Sequence, residues 1–225
     1  MDARPEIPYS NRMYELPLFP LNTVLFPGMP ISLHIFEERY KQMMNLCIEE
    51  RRPFGVLLIA EGDEARGPVA QPHDVGCTAV IQQVEALPQG RMNMVAVGES
   101  RFRVLEFKRD KPYLVGVVES FPLGKETAPS VASEFEALQP LVADYLQILS
   151  RVGEVDIDIS ELPAEPVPLG FLAAALLRVT PTEKQSLLES SSAPLLLRRM
   201  RRLYSKEVAL LRLIPANDQG AFSVN

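Results

Sequence analysis

Two histidines, His34 and His73, and two cysteines, Cys47 and Cys77, are the whole supply of imidazole and thiol in a chain of 225 residues. The spacing His73-Asp74-x-x-Cys77 sets an imidazole near a thiol with a carboxylate to orient the ring, the arrangement nucleophilic catalysis requires. His73 lies in a proline-containing loop, however, and Cys77 opens an apolar stretch, which fits a buried structural thiol better. Gly98-Glu99-Ser100 begins a nucleophile elbow, but Arg101-Phe102 follow and the second glycine is missing. Phosphate chemistry fares no better. No two glycines stand two apart, so there is no G-x-G-x-x-G, and Gly124-Lys125 is followed by Glu126 without a glycine five residues earlier. Asp156, Asp158 and Ser160 imitate the first half of a calcium loop. Glu161 then stands where glycine is required and Val167 where glutamate is required. These residues spell no catalytic constellation, no metal site and no cofactor site.

The elements that would position such groups follow from charge and patterning. The net charge is −6, so the chain lacks the field that non-specific nucleic-acid binding needs. Its C-terminal part carries Arg198, Arg199, Arg201, Arg202, Lys206 and Arg212, whose plainest reading is a solvated helix face paired with an otherwise acidic body. The densest apolar run, Leu169 to Leu177, is far short of the ~20 residues a membrane helix needs. The N-terminus has no apolar stretch of signal-peptide type, and two cysteines make no disulfide framework. The expectation is a soluble, cytoplasmic protein with no nucleic-acid or membrane partner.

The first half reads as strands. Leu16 to Leu25 is apolar and interrupted by Pro17 and Pro20, which suggests an edge strand or short broken strands. Met29 to Ile35 alternates. Glu37 to Glu50 has helical spacing, with Tyr40, Met43, Met44 and Cys47 on one face. Gly55 to Ala60 is a short buried strand, and Glu61 to Asp74 a polar loop. Cys77 to Leu87, a turn at Pro88-Gln89-Gly90, and Met92 to Val97 form a hairpin. Phe102 to Phe107 and Tyr113 to Ser120 add two strands. The second half is helical: Phe135 to Leu149, Leu169 to Val179, Pro181 to Glu189 and Ala193 to Ile214. The last carries an apolar stripe of Leu196, Met200, Leu203, Leu210 and Ile214. Leu162 to Pro168 holds three prolines and reads as a rigid, non-helical connection.

The fold class is therefore α+β. A β-rich subdomain, a twisted antiparallel sheet or small pseudo-barrel, spans 14–121. A helical subdomain spans 134–214, with a linker near 122–133 and flexible tails at 1–13 and 215–225.

Several segments, read in order, resemble the N-terminal substrate-binding domain of Lon proteases. The first is Leu16-Pro17-Leu18-Phe19-Pro20-Leu21, then Val24-Leu25-Phe26-Pro27-Gly28 and Phe36-Glu37-Glu38-Arg39-Tyr40. The next is Val75-Gly76-Cys77-Thr78-Ala79, then Leu87-Pro88-Gln89-Gly90 and Val97-Gly98-Glu99-Ser100-Arg101-Phe102-Arg103-Val104. Pro112-Tyr113-Leu114 and Thr182-Glu183-Lys184-Gln185 complete it. The resemblance implies about six strands followed by helices. It also implies a stand-alone module without the ATPase and serine–lysine peptidase modules of a full Lon, hence no enzyme. The expected role is to bind polypeptide, as unfolded segments or as a defined partner, in protein quality control. The alternative is a structural or adaptor protein that self-associates or docks on a larger protease or chaperone. A third reading, a hydrolase using Cys77 or an acidic pair, rests on no motif.

The candidate polypeptide-binding residues are Leu25, Phe26 and Met29. The turn Leu25-Phe26-Pro27-Gly28-Met29-Pro30 sets large apolar side chains beside stiffening prolines, so little entropy is lost on binding. Methionine repacks readily against varied partners. The competing reading is that Phe26 and Met29 plug the end of the barrel.

Overall fold

The computed structural model describes residues 13–61, 71–124, 128–151 and 162–213. The calcium-like run at 156–161, most of the polar loop, Ile214 and the expected tails apart from Met13 lie outside these residues. The chain divides into two compact units between Pro122 and Leu123.

In the first unit the order is β1 (Tyr14–Leu21), β2 (Pro30–Ile35), α1 (Glu38–Glu49), β3 (Phe54–Glu61), β4 (Gln71–Pro72), β5 (Val75–Ala86), β6 (Met92–Lys108) and β7 (Leu114–Ser120). The strands form one seven-stranded sheet in the order β1-β7-β6-β5-β3-β4, with β2 on β6. All pairings are antiparallel except that of β1 with β3.

The position of β1 corrects the edge-strand expectation, because this strand has neighbours on both sides. Its N-terminal half, Tyr14 to Leu18, pairs with β7, and its C-terminal half, Leu18 to Leu21, pairs with β3. Pro17 therefore sits where only β7 is alongside and Pro20 where only β3 is. The missing N–H of each proline faces no ladder it would break. The residues of β1 feed two apolar clusters in alternation. Leu16 and Leu18 meet Leu57, Phe102, Val104 and Val118, while Phe19 and Leu21 join Phe54, Val56, Met92, Met94 and the buried face of α1. That double burial explains why the run is apolar without a polar face. On α1 the buried residues are Tyr40, Met43, Met44 and Cys47, as the helical spacing predicts.

A second correction concerns β6. It is a single strand of 17 residues where sequence reading expects two, because Gly98 to Arg101 stays extended between them. It pairs with β2 and β5 in its first part and with β5 and β7 in its second, and register shifts against β5 and β7 let it bend from one set of neighbours to the next.

The second unit holds α2 (Ala128–Arg151), α3 (Pro166–Leu176), α4 (Pro181–Leu188) and α5 (Ala193–Leu213). Helix α2 starts at Ala128, so part of the expected linker is helical. Pro166 and Pro168 fall in the first turn of α3, where a missing N–H costs nothing, and so 166–168 is helix where a non-helical connection is expected. Thr180 caps α4 with a full capping box, its hydroxyl accepting from the Glu183 N–H while the Glu183 carboxylate accepts from the Thr180 N–H. The buried stripe of α5 is Leu196, Leu197, Met200, Tyr204 and Val208. Leu203 is half-buried and Leu210 is 48% exposed, so the expected stripe is rotated by about one position. Tyr204 takes the place assigned to Leu203. Its ring meets that of Tyr145 edge-on at 5.1 Å, and its hydroxyl donates to the Ala173 carbonyl at 2.8 Å.

Candidate functional site

The segment joining β1 to β2 is a tied turn. The Met29 N–H donates to the Phe26 carbonyl at 3.1 Å, Pro27 stands second, and Gly28 stands third at φ +82°. This is the residue pattern of a type II turn. Two further bonds fasten it to β6: the Gly28 N–H donates to the Gly98 carbonyl at 2.8 Å, and the Gly98 N–H donates to the Met29 carbonyl at 2.9 Å. The Phe26 carbonyl lies against Gly98 so closely that any Cβ there would strike it.

Tied this way, the turn sends its large side chains inward. Phe26 is 1% exposed and Leu25, 4% exposed, belongs to the core beneath α1. Of the three candidate binding residues, only Met29 keeps exposed surface. It is half-buried against the same core, beside the half-buried Ile31 and Leu33 of β2.

Past the turn, the outer face of the sheet carries polar side chains in register across three strands. His34 on β2 lies opposite Asn93 on β6, and Asn93 lies opposite Glu85 on β5. The side chains connect: His34 Nδ1 donates to Asn93 Oδ1 at 2.7 Å, and Asn93 Nδ2 donates to Glu85 Oε2 at 2.9 Å. They line a shallow, open hollow of about 640 Å³ together with Ser32, Gln83 and Val95. Phe36, 60% exposed just beyond β2, stacks on the His34 ring with centroids 5.9 Å apart. Sequence reading missed this face. The alternation in Pro30 to Ile35 was visible, but the strand partner that aligns His34 with Asn93 was not.

The other chemistry-bearing residues have structural surroundings. Burial pushes the Cys77 thiol up to about 12 and that of Cys47 to about 11, so neither holds appreciable thiolate near neutral pH. Cys77 Sγ points to the Thr78 carbonyl at 3.4 Å. Among the described residues, no three His, Cys, Asp or Glu side chains converge as a metal site would need, and no helix is long and apolar enough to cross a membrane. Four arginines of α5 are engaged. Arg198 and Arg201 both bond Glu134, Arg212 bonds Asp144, and Arg199 donates to the Ser186 carbonyl. The Arg198 hydrogen bond, first among the causes, holds the Glu134 carboxyl below the ordinary glutamate value.

The sequence profile of the ATP-dependent protease La (LON) substrate-binding domain matches residues 15–205. The chain belongs to the Lon substrate-binding domain family. Among similar proteins, the Lon protease of Koribacter versatilis is 30% identical over 207 residues, covering 88% of this chain and 25% of that protein. The Lon protease of Methylocella silvestris is 26% identical over 190 residues, covering 84% and 24%. The chain thus spans about a quarter of the length of the curated relatives it matches. A crystal structure of a Lon N-terminal domain protein from Xanthomonas campestris is 26% identical with a TM-score of 0.59. It covers 90% of this chain and 99% of that one. The N-terminal domain of a Mycobacterium avium complex Lon protease, 19% identical, shares the fold at a TM-score of 0.67 over 85% of this chain and 98% of that one.

Proposed function

We propose that this protein binds polypeptide without catalysing a reaction on it, presenting non-native or extended segments for cytoplasmic protein quality control. The observation that carries the reading is the match of a substrate-binding domain to residues 15–205. Two features of the structure support it. Met29, Ile31 and Leu33 make a half-buried apolar strip at the margin of the sheet, and both thiols, Cys47 and Cys77, are buried and protonated. The strip has a stiff backbone, so little order has to be imposed when a client arrives.

The test is fluorescence anisotropy with a labelled, permanently unfolded client such as reduced and carboxymethylated α-lactalbumin. Saturable binding that native α-lactalbumin does not compete for is the expected result, with no cleavage of the client and no saturable binding of Mg-ATP. Binding of the native protein alone would favour a defined-partner adaptor. ATP-dependent cleavage by the pure chain would overturn the non-catalytic reading.

A further inference from the structure

We infer that the free edge of β2 is where an extended client segment docks, by adding a strand to the sheet through backbone hydrogen bonds at Ser32 and His34. This inference rests on the polypeptide-binding reading and specifies its geometry.

The phase of the β2–β6 ladder decides which groups face outward. In an antiparallel pair, residues alternate between exchanging bonds with the partner strand and pointing away from it. The bond from the Gly98 N–H to the Met29 carbonyl marks Met29 and Gly98 as a bonded pair. The register then runs from Pro30 opposite Val97 to Ile35 opposite Met92 without a shift. The bonded residues of β2 are therefore Ile31, Leu33 and Ile35, while Pro30, Ser32 and His34 turn their backbone groups to the other side. Pro30 gives an independent check on this phase. In the opposite phase it would owe Val97 an N–H it does not have; in this one its missing donor faces outward, where strand prolines are tolerated.

Among the described residues, no strand pairs with that other side of β2. The N–H and C=O groups of Ser32 and His34 thus form a template whose complement is another extended backbone. Proteins guard such edges with charged side chains, with proline or with extreme shortness. The other outer strand, β4, follows the rule, being two residues long and half proline. β2 has six residues, Pro-Ile-Ser-Leu-His-Ile, with no Lys, Arg, Asp or Glu among them and its one proline at the end. On the core side of the edge, Ile31 and Leu33 are only half-buried, so an added strand would cover apolar surface there. The favoured client is accordingly an extended segment with isoleucine, valine or leucine at alternate positions, those beside Ile31 and Leu33, and polar residues between them.

The experiment uses the full chain and a short fluorescein-labelled peptide alternating isoleucine or valine with threonine or lysine. The first variant is Ser32→Pro, which removes an outward N–H while leaving the bonds to β6 in place. The second arm keeps the protein and changes the probe, to the same peptide N-methylated at alternate amides, with its side chains intact. Wild-type binding, weakened at least about tenfold in both arms as expected for losing a net hydrogen bond or more, is the predicted result. Slower amide exchange of Ser32 and His34 on adding the peptide would accompany it. Equal binding of wild type and Ser32→Pro, or of plain and N-methylated peptide, overturns the edge mode and leaves the polypeptide reading standing. No binding of any unfolded polypeptide by wild type ends both. If Ser32→Pro fails to fold, the N-methylated peptide decides. Light scattering covers the remaining occupant: a concentration-dependent dimer in which the Ser32 and His34 amides are already protected would assign the edge to a second copy of the chain and overturn the proposal.

Discussion

Gly98 lies directly beneath the carbonyl of Phe26, with no room for a β-carbon between them, and the two backbone bonds beside it tie the β1–β2 turn to β6. This contact makes the turn part of the folded core. It also separates the roles of two glycines only a few ångströms of backbone apart, Gly98 for close approach and Gly28 for its positive φ.

Gly98→Ala should destabilise the protein by about 1–3 kcal/mol, as overpacking against backbone does. Gly28→Ala has open space around its new methyl, so its cost is conformational only, about 1–2 kcal/mol for a left-handed backbone. Urea titration with tryptophan-free detection, for example far-ultraviolet circular dichroism, would measure both. A Gly98→Ala protein of wild-type stability would mean that the turn moves aside freely.

Phe26 and Met29 should separate cleanly. Phe26→Ala should cost about 3–5 kcal/mol, the range for a fully buried aromatic. Met29→Ser, at a half-buried position, should cost about 1 kcal/mol or less and weaken binding of an unfolded client. Thermal unfolding and anisotropy on each single variant check this. Equal stability loss in both would place Met29 in the core with Phe26.

Tyr204→Phe should cost about 1 kcal/mol, because the variant loses the buried bond from its hydroxyl to the Ala173 carbonyl, which keeps only the Leu177 N–H as donor. Leu196→Ala should cost about 2–5 kcal/mol and Leu203→Ala distinctly less, since Leu196 is fully buried and Leu203 is not. Denaturant midpoints of the three variants rank them.

The capping box on α4 gives a pH dependence. The backbone and side-chain hydrogen bonds from Thr180 hold the Glu183 carboxyl below its ordinary value. A carboxylate whose folded pKa is depressed contributes stability above its unfolded value, about 4.3, and loses that contribution as pH falls through the folded value. Thr180→Ala should therefore cost about 0.5–2 kcal/mol near neutral pH and less in acid. Melting curves of both proteins between pH 7 and pH 3 would show the gap narrowing. Thr180→Ala keeps the backbone bond to the carboxylate, so a constant gap would mean that the hydroxyl contributes by accepting from the Glu183 N–H and not by donating to the carboxylate.

Much of this fold was legible because apolar periodicity reports burial directly. The face of α1, the β5–β6 hairpin and the change from strands to helices were all readable from spacing. What sequence alone could not convey was partnership. Pro17 and Pro20 argued for an edge only while β1 was taken to have the same neighbour along its length. The expected α5 stripe ran through Leu203 because Leu scores as core and Tyr as ambiguous, yet Tyr204 is fully buried once Ala173 accepts its hydroxyl. The candidate site shows the same limit. The turn was visible, but whether Phe26 pointed in or out depended on Gly98, some seventy residues away, and the alignment of His34 with Asn93 and Glu85 on a register that no local pattern encodes.

The division of β1 between two neighbours has a consequence for the order of assembly on the ribosome. Its C-terminal half can find β3 as soon as residues 55–58 emerge, whereas its N-terminal half must wait for β7 at residues 114–118, after nearly the whole sheet has been translated. Throughout that interval Tyr14 to Pro17 is a half-docked edge on a nascent chain, open to the wrong neighbour. Pro17 lies in that waiting half with its missing donor turned away from the side β7 fills, so it closes only the opposite side to an early strand, and the β7 side stays open until residues 114–118 arrive.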